Sequence, residues 1–217
     1  MAVTDIGTYD GLLLAAADWI NRGDLVDQIP NFVRLAEAGF NRELRVRDMM
    51  VRARATSNLE FVPLPFDFLQ EYSLTLDPVG RPAQLEFRYV GKNTADRLKA
   101  GQLLGAPGYY TLVDGAFELI PTPTSDQSLV MVYYAKIPRL GELTGSPALP
   151  RQTNWLLDRS PDLYLASTLV QAAPYINDSQ RLQTWAALRA EIMQGIQLEN
   201  ERGMRSSTQL TARAAGF

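Results

Sequence analysis

Cysteine and histidine are both absent from the 217 residues. Without cysteine there is no disulfide, no thiol nucleophile and no thiolate-held metal. Without histidine, the usual general base near neutral pH and the commonest transition-metal ligand are missing as well. Charge of one sign is scarce: the net charge is −3, too small to coat a nucleic acid or draw the whole surface to a membrane. Long hydrophobic runs are lacking, since none approaches the roughly 18 to 20 apolar residues of a membrane-spanning helix. The Leu12–Ala17 run is short, lies between Asp10 and Asp18, and has no basic leader or cleavage pattern of a signal peptide. An intracellular product, made in the cytoplasm without membrane attachment, is therefore expected. What remains is ordinary for a folded protein: 46% hydrophobic and 21% charged residues, in a chain long enough to bury a core.

Two helical hairpins at opposite ends organise the chain. Thr8 is placed to cap a helix over Tyr9–Asn21, with Leu12, Leu13, Ala16, Trp19 and Ile20 on one stripe. After a turn at Asp24–Gln28, Pro30 opens a second helix. Its apolar side reads Phe32, Leu35, Ala36, Phe40 and Leu44, with Arg34, Glu37, Asn41 and Arg42 opposite. Ser160–Pro161–Asp162 starts a third helix, broken at Pro174 and Asn177. A fourth runs from about Ser179 to Arg202 with a Leu182, Trp185, Leu188, Ile192 and Ile196 stripe. Between the pairs the period falls to two: a strand from Met50 with Leu59–Val62 as its hairpin partner, then Ser73–Leu76, Leu85–Val90, Tyr109–Val113, Ala116–Ile120 and Leu129–Ala135. Asp114–Gly115 is a strong two-residue hairpin signal. Asn93–Ala100 reads as a short helix capped by Asn93, and Pro138–Thr153 as an irregular connection.

The fold expected is α+β: a helical bundle formed by N- and C-terminal helix pairs, with an inserted antiparallel β-rich domain and an extended C-terminal arm. The boundaries are 1–45 for the first pair, 46–153 for the insertion, 154–202 for the second pair and 203–217 for the arm.

Chemistry is sparse. Gly91–Lys92–Asn93 fails as a phosphate loop, because Asn stands where Ser or Thr would hold magnesium and Glu86 replaces the leading glycine. Glu37, Glu43, Glu71, Glu86, Asp96 and Glu118 have no spacing that marks a catalytic pair. No catalytic, cofactor or metal residue is expected. Arg42, Arg45, Arg47, Arg52 and Arg54 cluster within thirteen residues, and Arg52 and Arg54 share a strand face. They suit either a phosphate backbone or carboxylates of a neighbouring element or subunit. The tail is either unstructured or an arm that orders on a partner, with Arg205, Arg213 and Phe217 as anchors.

Several local sequences resemble the head-to-tail adaptor (connector, neck) proteins of tailed bacteriophages. Ile29–Ala38 with Asn41–Arg47 is similar to that family's second helix, and Leu64–Leu69 to its Leu-Pro-x-Asp-aromatic bend. Pro107–Tyr110, Leu119–Pro123 and Val132–Pro138 are similar to its β region; Asn154–Leu157, Pro161–Leu165 and Ala172–Tyr175 to its last helical pair. The resemblance implies a virion component without enzymatic activity at the head–tail neck. It implies a homo-oligomeric ring, commonly of twelve copies, between the portal protein and tail or nozzle proteins, with DNA passing through the lumen during genome ejection. It further implies a portal-docking arm, which here would hold Arg205, Gln209, Arg213 and Phe217. The alternatives are a carboxylate-dependent cell-wall glycan hydrolase of the tail and a DNA-binding module built on the arginine cluster.

Overall fold

The computed structural model describes residues 5–77, 85–101, 107–176 and 179–214. The chain is α+β and divides into two units: a helical one from residues 1–48 and 137–217, and a β-rich one from Met49–Lys136.

In the helical unit, α1 (Tyr9–Ile20) begins at Thr8, whose hydroxyl accepts the Gly11 N–H. A 3-10 turn over Gly23–Gln28 leads to α2 (Ile29–Glu43). The chain returns at Ile137 through a small hairpin, β9 (Leu143–Thr144) and β10 (Leu149–Pro150), within the stretch expected to be irregular. Gly141 at the hairpin base has φ +69, and a Cβ there would meet the Tyr9 ring at 2.7 Å, so glycine is required twice over. Then come α4 (Trp155–Arg159), which sequence reading missed, α5 (Pro161–Ile176) and α6 (Ser179–Ala214). Helix α5 touches α1, α2, α4 and α6, so its broad face of small and apolar side chains is the inner wall of the unit. Pro174 does not end it; the helix runs two residues further, since proline forfeits a bond only to the turn before it. Nor does α6 stop near Arg202. It continues through Gly203 to Ala214, so the segment expected as an extended arm is helical up to that residue, and Phe217 lies outside the described residues.

The β-rich unit holds two four-stranded sheets. One has the order β1 (Met50–Ser57), β8 (Gln127–Ala135), β3 (Phe68–Leu76), β4 (Leu85–Glu86). The other has β2 (Phe61–Pro63), β7 (Ala116–Ile120), β6 (Tyr109–Val113), β5 (Arg88–Tyr89). Leu74, Leu129 and Met131 from the first share a core with Val62, Phe117 and Leu119 from the second. The expected hairpin between the first two strands does not form: β1 pairs with β8 and β2 with β7, in different sheets. Periodicity finds strands, but partner choice depends on which inward faces fit together, and that is a tertiary property. The insertion is also not wholly antiparallel, because β5 runs parallel to β6. The β6–β7 turn at Asp114–Gly115 forms as read, with φ +49 and +71, the two left-handed residues of a type I′ turn. Helix α3 (Lys92–Ala100) starts one residue earlier than expected; Gly91 occupies the cap position and Asn93 makes no cap bond there.

Candidate interaction surfaces

The strongest polar constellation of the helical unit centres on Glu37, a residue expected on the wet side of α2. It is 3% exposed, while Leu35, expected inside, is 51% exposed. Glu37 Oε1 accepts the Leu140 N–H at 2.9 Å and the Tyr164 hydroxyl at 3.3 Å, and Oε2 has no partner. One turn on, Asn41 accepts the Ile137 N–H at 2.9 Å. Asn154 joins the network, donating to Tyr164 Oη and to the Pro138 carbonyl oxygen, both at 2.7 Å, while its Oδ1 caps α4. Three buried or half-buried polar side chains thus hold the backbone from Ile137 to Leu140. Burial pushes the Glu37 carboxyl up to about 7 despite the opposing hydrogen bonds from Leu140 and Tyr164. Burial and then the Glu37 charge push the Tyr164 hydroxyl up. A raised carboxyl can mark a catalytic acid, but this one faces the chain's own backbone.

The β-rich unit has a second buried acid. Glu118 on β7 is 1% exposed and accepts from Lys99 and, at 3.2 Å, from Lys92, both on α3. Lys99 also meets Glu60, and Lys92 meets Asp96 at 2.7 Å. Burial alone would push the Glu118 carboxyl up; the hydrogen bonds and charges of Lys99 and Lys92 hold it below its ordinary value. Three of the acids weighed as a catalytic pair have cation partners. Asp96 and Glu118 share a lysine, and Glu43 pairs with Arg189 at 2.7 Å.

The arginine cluster divides between the two units. Arg42 is exposed on the last turn of α2. Arg45 turns back to the carbonyl oxygens of Asn41, at 2.9 Å, and Leu44, capping the C-terminus of α2 where a cation is favoured. Arg47 reaches α6 through its backbone N–H to Asn200, at 3.0 Å, and its guanidinium to the Gly203 carbonyl. Arg52 and Arg54 stand exposed on the same face of β1, opposite Val132 and Val130. Arg54 comes only within 4.0 Å of Asp77, and Arg52 has no carboxylate partner among the described residues. Arg205, Gln209 and Arg213 occupy the last turns of α6.

Apolar surface is left over in both units. Trp19, Leu35, Tyr175, Leu143 and Leu149 are each more than half exposed in the helical unit, and Phe66 is 96% exposed beside Pro65 in the other. In the β-rich unit an apolar cavity of about 210 Å³ opens between β1 and β2, the outermost strands of their sheets. Ala53 and Ala55 leave the space; Leu74, Leu119, Leu129 and Met131 floor it. No helix among the described residues is long and apolar enough to cross a membrane, and among them no cluster of acids could hold a metal ion. The family model described as SU10 adaptor protein matches residues 7–213. No curated protein matches the chain.

Proposed function

Because the chain belongs to the SU10 adaptor protein family, phage head–tail adaptors that are structural virion components meeting other capsid and tail proteins, we propose that it is the ring-forming piece of the neck. In this reading copies repeat around an axis, twelve being the expected number, between the portal protein and the tail or nozzle proteins, and DNA passes through the lumen during genome ejection. The match over nearly the whole chain supports it most. The exposed apolar side chains of both units agree, since apolar surface of this kind is what protein–protein interfaces bury. The helical bundle supplies one surface, the β-rich insertion a second, and the C-terminal segment that carries Arg205, Gln209, Arg213 and Phe217 makes the portal contact. Light scattering after mixing with purified portal rings tests this: one stoichiometric ring-on-ring particle is expected, and a monomer that ignores portals would overturn it.

Exposed Arg52 and Arg54 favour a secondary role, sequence-independent contact with the passing DNA. Binding of the assembled ring to duplex DNA should weaken with salt, and replacing both arginines with alanine should cut the log–log slope by about 2 for each subunit that contacts the DNA, since each phosphate contact contributes about 0.9. An unchanged slope removes the role.

A further inference from the structure

The chain has two unfinished surfaces that complement each other. We infer that the β9–β10 hairpin of one copy docks along the free edge of β1 in the next, with Leu143 filling the apolar mouth between β1 and β2. This deepens the ring-forming reading above and rests on it.

The edge comes first. Strand β1 is the outermost strand of its sheet, keeps register with β8 over its whole length, and contains no proline. On the face opposite Arg52 and Arg54, Val51, Ala53 and Ala55 carry no charge. A regular, proline-free edge of this length, charged on one face only, is a template for another strand. The opposite side of the sheet is guarded: β3 is interrupted by register shifts after Phe68 and after Glu71, and β4 covers Thr75 and Leu76. Two β1 edges would not pair with each other readily, because Arg52 and Arg54 would then confront their own copies. The occupant must therefore bring a different surface, with apolar and acidic side chains in alternation.

The hairpin has that character. Only two residue pairs join β9 to β10, and a two-stranded ribbon alone is marginal in water. Yet it holds Leu143 and Leu149 out at 66% and 63% exposure. Pro150 disqualifies β10 as a further pairing edge, whereas Glu142–Leu143–Thr144 is free of proline. Side chains alternate along a strand, so with Leu143 turned inward Glu142 falls on the side of Arg52 and Arg54. The mouth, about 210 Å³ and apolar, lies below the roughly 300–1,000 Å³ of small-molecule sites and suits one aliphatic side chain. Strand addition of this kind takes affinity from the main chain and selectivity from such pockets. Because hairpin and edge are different patches, the contact is head-to-tail and propagates from copy to copy, as a ring requires.

The absence of cysteine makes the test clean, because each introduced thiol is the only one present. Ala55→Cys protein mixed with Leu143→Cys protein under oxidising conditions should give a disulfide-linked pair, and each variant alone should give none. Glu142→Arg should weaken self-assembly about tenfold by juxtaposing like charges, and Arg52→Glu with Arg54→Glu should restore it. All five positions are exposed, and circular dichroism with a thermal melt checks that each variant folds. Wild-type assembly with no cross-link and no response to Glu142→Arg would overturn this interface and leave the ring standing. A wild-type chain that stays monomeric at every concentration, with and without portal rings, would overturn both.

Discussion

Replacing Glu37 by glutamine should remove most of a stability slope between about pH 4.5 and pH 7. The Glu37 carboxyl is raised from 4.5 to about 7 in the folded chain, so across that window the native state holds a proton that the unfolded state has released. Stability contributed by the group is then in place below pH 4.5 and is lost as pH rises towards 7. With about 1.36 kcal/mol for each pKa unit, the loss is about 3 kcal/mol. The cause is geometric: Oε2 is buried with no partner, and ionisation places charge where water cannot reach it. Glutamine keeps an acceptor for the Leu140 and Tyr164 donors while carrying no charge. Urea denaturation at pH 5 and pH 8 measures the effect. The wild type minus Glu37→Gln difference should change by about 3 kcal/mol between the two, whatever other groups titrate. Equal differences at both pH values would show that Glu37 is not held in this protonation state.

That Glu37 sits inside explains why sequence reading succeeded in one register and failed in another. Thr8, the Asp114–Gly115 turn and the strands of the β6–β7 hairpin were legible because each depends on the chemistry of two or three adjacent residues. The inward face of α2 was not. A single apolar stripe puts Leu35 inside and Glu37 outside, but α2 meets α5 and also the returning segment Ile137–Leu140, so its buried arc takes in Val33 and Glu37 and leaves Leu35 exposed. Buried Glu37 looks from sequence like the solvated face, since its partners lie 103 and 127 residues away. The only local hint was spacing: Glu37 and Asn41 are one turn apart on a helix whose neighbours are apolar. Strand pairing failed for a similar reason, because β1 and β8 are separated by most of the insertion. The candidate surfaces were half legible. Arg52 and Arg54 alternate with alanines in plain view, but the cavity beneath those alanines comes from the opposing sheet. Arg45 and Arg47 adjoin them in sequence, but Arg45 caps the C-terminus of α2 and Arg47 reaches Asn200 and Gly203 within α6.

Lys99→Met should cost more than Lys92→Met, and more than removing the acid and the lysine together. Glu118 is 1% exposed on β7, and Lys99 is its closer and more enclosed partner, with 28% of its side chain exposed against 49% for Lys92. Removing Lys99 leaves a buried carboxylate with one solvent-facing cation, so the loss approaches the roughly 3–5 kcal/mol of a broken buried pair. Removing Lys92 leaves the closer bond intact, and the exposed lysine contributes little. Glu118→Leu combined with Lys99→Met should recover most of the loss, because the desolvated charge disappears with its partner. The pH response is opposite in sign to that of Glu37. With its carboxyl held below the ordinary value, Glu118 stabilises the fold above that value and ceases to do so as pH falls through the depressed one. Wild type and Lys99→Met should therefore differ most near neutral pH and converge in acid, as urea midpoints across the range would record. A difference that stayed constant with pH would mean that Lys99 acts through packing against Phe61, over whose ring it lies at 5.6 Å, and not through the carboxylate.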